Sequence, residues 1–418
     1  MKVLVVGNGA REHAIAWKLA QSPSVDELLV APGNAGTAQM ARNVPIKAGD
    51  IEGLAAFAKS NRVDLTVVGP EASLAEGIAD RFLDAGLAIF GPTRAAARIE
   101  SSKAFAKDLM VRHGVPTGAS ETFDVYVDAV KYLADCQLPV VVKADGLAAG
   151  KGVIIARTLE EALLALRRCM AEKDFGAAGE RVVIEEFLEG QEVSAFAFVD
   201  GEYVSPMVAA CDYKRVGDGD EGPNTGGMGS YSPPPVWTEK LKRQVRAEVM
   251  EPVAKALAAE GSPYRGVLYA GLILTADGIR VLEFNCRLGD PETQVILPRL
   301  KSDLAAVMMG TAQGRLDEVA IEWDPLACVG VVVASGGYPG SYPTGFPITG
   351  LDELDSEVTV FHAGTRGEGT GFVTDGGRVL TVASLGENLA EARDKVYANV
   401  GKVRFEGSFY RGDIADLD

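Results

Sequence analysis

Apolar runs and amphipathic stretches alternate through the first 100 residues. Continuous valine, leucine and isoleucine runs predict buried strands, and apolar positions recurring every three or four residues predict helices. The predicted strands cover residues 3–6, 28–30, 65–68 and 89–90, and the predicted helices cover residues 12–21 and 51–59. This alternation indicates an open parallel α/β sheet with crossover helices. The loops at 7–10, 31–34 and 69–71 should therefore meet at the carboxyl edge of the sheet, where such sheets bind ligands.

After a helix near residues 101–113, the pattern changes to strands joined by glycine-rich turns. These strands cover residues 140–142, 153–156, 182–184, 194–199, 268–274 and 279–285. Tight turns between neighbouring strands predict a mostly antiparallel α+β region. From about residue 325, a further strand, turn and helix series predicts a small carboxyl-terminal α+β domain. The predicted division is an α/β substrate-binding domain (1–101), a central α+β domain of two subdomains (102–324) and a terminal domain (325–418).

Composition narrows the function classes. A chain of 418 residues is long enough for several domains, and 47% hydrophobic with 24% charged residues is typical of folded globular proteins. The formal charge of −17 argues against nucleic acid or an anionic membrane as a partner. No apolar run approaches the roughly 20 residues of a membrane span, so we expect a cytoplasmic protein. The five cysteines and three histidines are scattered, which argues against a zinc site or a disulfide framework.

The first loop, residues 7–12, resembles a dinucleotide-binding turn only in part. Glu12 stands where the third glycine of that fingerprint belongs, and the next strand ends in Ala31 instead of an acidic ribose ligand. Backbone N–H groups at a helix N-terminus still suit a phosphate. A purely structural turn is the alternative.

The segment 143–152 combines glycines with Lys143 and Lys151 between two apolar strands. It is not a P-loop, because Asp145 and Gly152 occupy positions that require glycine and Ser/Thr, and no helix follows. A hairpin loop of this composition could close its amides and ammonium groups over nucleotide phosphates. The alternative is a mobile, solvated loop.

Strand 181–184 runs into Glu185 and Glu186, with Glu192 a few residues further on. Backbone groups leaving a strand can bind an adenine edge, and a carboxylate can hold ribose hydroxyls. Solvated glutamates at a strand end are the alternative.

The strongest local pattern is the strand 279–285 and the turn that follows it. Glu283 and Asn285 are two residues apart and should share one face, with Leu282 and Phe284 on the other. Two oxygen ligands at this spacing suit Mg²⁺, which takes its remaining ligands from phosphates and water. Arg287, one step further, could stabilise charge on a transferred phosphoryl group. A charged strand edge followed by an ordinary Asp-Pro turn is the alternative.

The long polar segment 211–229 is predicted to be a substrate loop. Lys214 or Arg215 would meet an anion there, and the glycines before Met228 would approach a ligand closely.

In order, these motifs resemble the ATP-grasp superfamily and, within it, the glycinamide ribonucleotide synthetase family. The matching stretches extend through the chain: GNGAREHA at 7–14, APGNAGT at 31–37, VGPEA at 68–72, KADGLAAGKGV at 143–153, EEFLEGQE at 185–192, GPNTGGMGSYSP at 222–233, EFNCRLGDPETQ at 283–294 and ASGGYPG at 334–340. The run RLGDPETQ is the most specific. One departure is Cys211, where this family often has glutamine.

The resemblance implies roles for individual residues. ATP phosphates would be gripped by Lys103, Lys143, Asp145, Gly146, Gly150, Lys151 and Gly152. Adenine would be framed by Glu185, Glu186, Phe187 and Leu188, and ribose held by Glu192. Glu283 and Asn285 would bind Mg²⁺, with Mn²⁺ as the alternative ion. The reacting centre would include Asp212, Lys214, Arg287 and Asp290. The substrates would meet Asn8, Gly9, Gly33, Asn34, Glu71, Gly226, Gly227 and Met228.

The implied reaction joins glycine to 5-phosphoribosylamine, with ATP converted to ADP and phosphate through glycyl phosphate. Two rivals stay open: another ATP-grasp ligase, such as a ribonucleotide carboxylase, and a nucleotide-binding protein that never turns ATP over. We expect a monomer, with a dimer left open.

Overall fold

The first hundred residues form the parallel sheet that their apolar pattern predicts. Its elements are β1 (Lys2–Gly7), α1 (Ala10–Leu19), β2 (Glu27–Pro32), β3 (Arg42–Asn43), α2 (Ile51–Ser60), β4 (Leu65–Val68), α3 (Glu71–Ala75), α4 (Ile78–Asp84), β5 (Ile89–Phe90) and α5 (Arg94–Ser101). In the computed structural model, which describes residues 1–148 and 152–417, the strand order is β3-β2-β1-β4-β5 and every pair is parallel. The loops after β1, β2 and β4 therefore share one edge.

A four-stranded antiparallel sheet follows, in the order β6-β9-β7-β8. Its elements are α6 (Lys103–Arg112), β6 (Ser120–Phe123), α7 (Tyr126–Ala134), β7 (Val140–Ala144), β8 (Val153–Ala156), α8 (Leu159–Leu166) and β9 (Val182–Glu186). Helices α7 and α8 cover one face and enclose a separate apolar core that includes Leu133, Val142 and Leu166. This sheet carries Lys143 and Glu185 on neighbouring strands.

The rest of the chain is built around one large antiparallel sheet. The elements between residues 191 and 324 are β10 (Gln191–Asp200), β11 (Tyr203–Val204), β12 (Val208–Asp212), β13 (Arg215–Gly217), β14 (Glu221–Asn224), β15 (Gly229–Ser232), α9 (Glu239–Val245), α10 (Glu251–Ala259), β16 (Arg265–Thr275), β17 (Gly278–Asn285), α11 (Thr293–Ile296) and α12 (Leu304–Gln313). The remaining elements are β18 (Ala327–Ala334), β19 (Pro347–Ile348), β20 (Val358–His362), β21 (Thr365–Glu368), β22 (Gly371–Thr374), β23 (Arg378–Gly386) and α13 (Leu389–Val400).

This large sheet crosses the predicted boundary at residue 325. Its order is β17-β16-β10-β12-β15-β18-β23-β20, with β11 paired to β10. Strand β15 pairs with β18 from Gly229 opposite Val331 to Ser232 opposite Cys328. The central and carboxyl-terminal parts therefore share backbone hydrogen bonds.

One buried cluster joins all three parts of the chain. It includes Val3 and Val5 of β1, Phe198 of β10, Met308 of α12 and Phe361 of β20. Apolar surface from distant parts of the sequence is thus removed from water together, which fixes the parallel sheet against the large sheet. The predicted multidomain α/β and α+β fold class is confirmed. Within the described residues, every helix is too short or too polar to cross a lipid bilayer.

Candidate active site

Glu12 fills the turn that follows β1. Its carboxylate accepts a hydrogen bond from the Gly9 backbone at 2.7 Å and pairs with Arg11 at 2.6 Å. A Cβ placed on Gly7 would come within 2.4 Å of the Glu12 side chain, and one on Gly69 within 2.0 Å. A side chain at either position would therefore displace the Glu12 carboxylate. The residue that breaks the dinucleotide fingerprint thus organises the edge loops after β1 and β4.

The Asn34 side chain forms hydrogen bonds that connect neighbouring loops. Its amide nitrogen donates to the carbonyl oxygens of Asn8 at 2.9 Å and His362 at 2.7 Å, and its oxygen accepts from the backbone of Gly36 and Thr37. Asn34 is 9% exposed. Residues from β1, β2 and β20 are therefore tied together at the predicted substrate edge.

Arg287 lies between two carboxylates from the amino-terminal part. It contacts Glu71 at 3.2 Å and Glu100 at 3.2 Å, and Glu100 also accepts from the Cys286 backbone at 2.7 Å. Burial lowers the pKa of Arg287, but the two carboxylates outweigh burial and raise it. Burial raises the pKa of Glu71, but Arg287 and Arg11 outweigh it and lower that pKa. Arg287, the arginine predicted to stabilise a phosphoryl group, is thus a fixed cation where the parallel sheet meets the large antiparallel sheet.

Glu283 and Asn285 project from the same face of β17, because their pairing with β16 is regular from Glu283 opposite Gly271 to Asn285 opposite Tyr269. The absence of a side chain on Gly271 leaves room for Glu283, since a Cβ there would lie 3.3 Å from Glu283 Cγ. The prediction that Leu282 faces the same layer as Phe284 stays a prediction. A β-bulge leaves Leu282 without a partner on β16, and Leu282 is half-buried while Val281 and Phe284 are buried.

Cations surround the Glu283 carboxylate. Burial raises the pKa of Glu283, but four positive groups outweigh burial and lower it. These groups are Lys214, Lys143, Lys103 and Arg287. Among the described residues, no group of three or more His, Cys, Asp and Glu side chains could hold a metal ion. A pair of protein oxygens amid cations fits a Mg²⁺ that arrives with polyphosphate oxygens.

Lys143, Glu185 and Lys107 form a buried cluster of charged side chains. The Glu185 carboxylate lies 2.9 Å from the ammonium of Lys143 and 2.9 Å from that of Lys107. Lys143 also donates to the Leu282 carbonyl oxygen at 3.1 Å, which connects the four-stranded sheet to β17. Burial lowers the pKa of Lys107. Sequence reasoning missed Lys107, whose helix α6 gave no motif.

The start of the glycine-rich segment is anchored to α6. Lys103 donates to the Gly146 carbonyl oxygen at 2.9 Å, and the Asp145 carboxylate accepts from the Ala104 backbone at 3.1 Å. The Gly152 carbonyl oxygen accepts from the Ala144 backbone at 2.8 Å, where β7 turns into β8. Gly150 and Lys151 lie outside the described residues.

The predicted adenine and ribose residues follow β9. Glu186 accepts a hydrogen bond from the Ala119 backbone at 2.8 Å, and Phe187 and Leu188 are half-buried. Glu192 forms an ion pair with Lys214, which also lies 4.0 Å from Asp212. Glu192 at the start of β10 and Lys214 after β12 are thus brought together with the cations around Glu283.

The half-buried Asp212 and the buried Glu292 lie close to the same centre. Burial raises the pKa of Asp212, and burial with the nearby Asp212 charge raises the pKa of Glu292 to about 7. Glu292 accepts a hydrogen bond from the Tyr269 hydroxyl at 2.8 Å. Sequence reasoning missed Glu292, although it lies in the RLGDPETQ run.

The predicted substrate loop contacts the carboxyl-terminal part. Gly227 has a φ of +110°, and a Cβ there would come within 2.3 Å of Pro291. Met228 is fully buried; its backbone N–H donates to the Tyr213 carbonyl oxygen at 2.7 Å, and its carbonyl oxygen accepts from the Val332 backbone at 3.0 Å. Arg378 donates to the Gly226 carbonyl oxygen at 2.6 Å and lies 3.2 Å from the Asp290 carboxylate. Arg378 carried no motif in the sequence.

This constellation of cations, paired oxygens and glycine loops between two antiparallel sheets defines an ATP-grasp ligase. Family models for the N, ATP-grasp (A) and C domains of phosphoribosylglycinamide synthetase match residues 1–100, 101–293 and 328–417. The chain belongs to the phosphoribosylglycinamide synthetase family, a family of carbon–nitrogen ligases that use ATP. The predicted resemblance is confirmed.

Individual relatives agree with this assignment. Phosphoribosylamine–glycine ligase of Vibrio vulnificus is 52% identical over 418 residues, covering 99% of this chain and 97% of that protein. The enzyme of that name from Salmonella typhi is 53% identical over 419 residues, covering 99% and 98%.

Solved structures place the fold in the same group. The crystal structure of phosphoribosylamine–glycine ligase from Thermotoga maritima has a TM-score of 0.88 at 35% identity, covering 99% of this chain and 100% of that chain. The biotin carboxylase domain of Hydrogenobacter thermophilus 2-oxoglutarate carboxylase has a TM-score of 0.74 at 17% identity, covering 98% and 91%. The second likeness shows the fold alone.

Proposed function

We propose that the protein joins glycine to 5-phosphoribosylamine, producing glycinamide ribonucleotide while ATP becomes ADP and phosphate. This is a reaction of de novo purine biosynthesis. The observation that carries the proposal is the set of cations around Glu283 and Asn285. This set lies beside the substrate loop and the edge loops of the parallel sheet.

The chemistry explains why ATP is needed. An amine cannot displace oxide from a carboxylate at a useful rate. A glycine carboxylate oxygen therefore attacks the γ-phosphorus of ATP and ADP leaves, which gives glycyl phosphate. The amine nitrogen of phosphoribosylamine then attacks the glycyl carbon. Phosphate leaves and the nitrogen loses one proton, so the new amide bond is complete.

The protein acts mainly by positioning and charge neutralisation. Lys103 and Lys143 would bind ATP phosphates, with Asp145, Gly146 and the rest of the 145–152 loop closing over them. Arg287 would stabilise charge on the transferred phosphoryl group, and Asp290 would orient the acceptor. Mg²⁺, or Mn²⁺ in its place, would be held by Glu283 and Asn285 and would neutralise polyphosphate charge when bound.

The remaining assignments follow the same plan. Glu185, Glu186, Phe187 and Leu188 would frame adenine, and Glu192 would hold ribose. Asp212 and Lys214 would complete the reacting centre. The backbones of Gly226, Gly227 and Met228 would line the glycine site. The phosphoribosyl group would meet Asn8, Gly9, Gly33, Asn34 and Glu71.

Further properties stay predictions: division at residues 101 and 324, a monomer, no nucleic-acid or membrane partner, and a cytoplasmic location. The charge of −17 supports the absence of nucleic acid.

The test is substrate-dependent ADP release by the purified protein with MgCl₂ and freshly prepared 5-phosphoribosylamine. We expect ADP only when glycine and the amine are both present, with a product of the mass of glycinamide ribonucleotide. Bicarbonate replaces glycine in a parallel reaction. ADP release with bicarbonate, or none with glycine, would contradict the proposed function.

A further inference from the structure

Arg378, at the start of β23, connects the carboxyl-terminal part of the chain to two segments of the active site. Its Nη1 group donates to the carbonyl oxygens of Gly226 at 2.6 Å and Asp290 at 2.9 Å, and lies 3.2 Å from the Asp290 carboxylate. One side chain thus fixes the substrate loop to the turn after β17.

A second residue from the same part holds the same loop. The Tyr338 hydroxyl accepts a hydrogen bond from the Gly226 backbone at 2.9 Å. Both backbone groups of Gly226 are therefore fixed from outside the loop. Residues 225–228 form no regular structure of their own, and glycine loses more conformational freedom on ordering than any other residue. Hydrogen bonds within the substrate loop order Thr225, Gly227 and Met228. The contacts with Arg378 and Tyr338 order Gly226.

Asp290 lies where three parts of the chain meet. A Cβ placed on Gly9 would come within 3.5 Å of one Asp290 carboxylate oxygen, while the other oxygen faces Arg378 and accepts from Gln294 at 2.8 Å. A displacement of Asp290 would therefore change the position of a carboxylate beside both the edge loop and the substrate loop.

We propose that Arg378 is a positioning residue for glycine. It holds the Gly226–Gly227 backbone and the Asp290 carboxylate in the arrangement that accepts the ammonium group of this substrate. This inference rests on the proposed function and extends it to the carboxyl-terminal part. Among the described residues, no hydrogen bond or ion pair joins Arg378 to Lys143 or Glu185. The effect on glycine should therefore spare ATP.

Lysine and glutamine separate the contributions of charge and shape at position 378. Arg378→Lys keeps a cation near Asp290, but it replaces the rigid guanidinium, whose Nη1 makes these contacts, with a compact ammonium on a flexible stem. Arg378→Gln removes the charge as well. Tyr338→Phe deletes one acceptor for Gly226 without changing any charge. Arg366→Gln is the matched control, because Arg366 is an exposed arginine of the same region that pairs with Glu368 at the surface.

The experiment measures KM for glycine, KM for ATP and kcat for the full-length wild type and all four variants. For Arg378→Gln we expect KM for glycine to rise roughly tenfold or more, since displacements of about 1 Å cost up to about 10²-fold. KM for ATP should stay within about twofold. Arg378→Lys should recover part of the loss, Tyr338→Phe should raise KM for glycine less, and Arg366→Gln should match the wild type.

The results distinguish a failure of the proposed function from a failure of the role proposed for Arg378. Wild-type protein without glycine-dependent ADP release would overturn the proposed function itself. With an active wild type, an unchanged KM for glycine in both Arg378→Lys and Tyr338→Phe would overturn the role of Arg378, even where Arg378→Gln fails to fold. Equal increases in KM for glycine and ATP, or a reduced active fraction with unchanged KM values, would assign Arg378 to general stability.

Discussion

Arg287 donates a hydrogen bond from Nε to the Glu71 carboxylate at 3.2 Å, across 216 residues of sequence. Glu71 begins α3 at the edge of the parallel sheet, and Arg287 lies just beyond β17. The contact fixes the direction of the guanidinium. One half-buried cation therefore joins the edge of the parallel sheet to the turn after β17.

Removing the Arg287 guanidinium should lower kcat by roughly 10²–10³-fold, because charge on the transferred phosphoryl group would lose its stabilising cation. The variant Arg287→Lys keeps a positive charge beside Glu71 and Glu100, so the fold should be retained. ATP affinity, measured by calorimetry, should change little. Arg280→Lys, on the preceding strand β17, is the control and should keep wild-type kcat. Near-normal turnover of Arg287→Lys and Arg287→Ala would exclude this arginine from the reacting centre.

The variant Glu283→Gln should raise the Mg²⁺ concentration needed for half-maximal activity. A neutral amide is a weaker ligand for a hard cation than a carboxylate. A Mg²⁺ titration at saturating ATP measures the change. Asp277→Asn, in the exposed turn of the same hairpin, should leave the titration unchanged. Identical titrations for Glu283→Gln and wild type would count against Glu283 as a metal ligand.

Replacing Lys107 with methionine should raise KM for ATP several-fold. Glu185 would lose one of its two cationic partners and draw Lys143 away from the phosphates. Lys131→Met, at an exposed position of α7, controls for the loss of one lysine. The comparison requires KM for ATP and Tm for each protein. A lower Tm with wild-type KM for ATP would show that Lys107 contributes only to packing.

Acid should weaken the contact between α1 and β20. His13 Nδ1 accepts from the His362 backbone at 2.7 Å. Burial, together with His362, lowers the pKa of His13 to about 3, and burial lowers the pKa of His362 to about 4. Both stay neutral in the folded protein at pH values where the unfolded chain binds protons. Stability should therefore fall as pH drops from about 6.5 towards 4, by up to about 1.4 kcal/mol per pH unit for each histidine.

Urea unfolding at several pH values measures this acid dependence. The variant His13→Asn keeps an acceptor near the Nδ1 position but removes one titrating group, so its free energy of unfolding should depend less steeply on pH. The raised pKa of Glu292 makes its contribution to the free energy of unfolding increase as the pH falls. This contribution is the same in wild type and variant, so it cancels from the difference between their slopes. Equal slopes for His13→Asn and wild type would contradict the prediction.

Local patterns predicted most of the fold. Continuous apolar runs identified β1, β2 and β4, because strands buried on both faces are rich in valine, leucine and isoleucine. The alternation around Glu283 placed its side chain on the face shared with Asn285. The same reasoning did not predict the bulge at Leu282, because a bulge depends on how β16 pairs and not on the residues of β17 alone.

Long-range contacts account for what the sequence did not reveal. Lys107 looks like an ordinary helix lysine until β9 brings Glu185 beside it. Arg378 contacts Gly226 across 152 residues. The sequence around either residue does not indicate that the other lies beside it. Single-residue contacts between distant segments leave no periodicity from which they could be predicted.

The pairing of β15 with β18 makes the chain hard to shorten. A protein ending before Ala327 would leave Gly229–Ser232 with unsatisfied N–H and C=O groups along a newly bare border, and such borders recruit other chains. It would also lack Arg378 and Tyr338 beside the glycine loop. The chain from Ala327 onward therefore covers a strand border that would otherwise be open to self-association, and it supplies the contacts that hold Gly226.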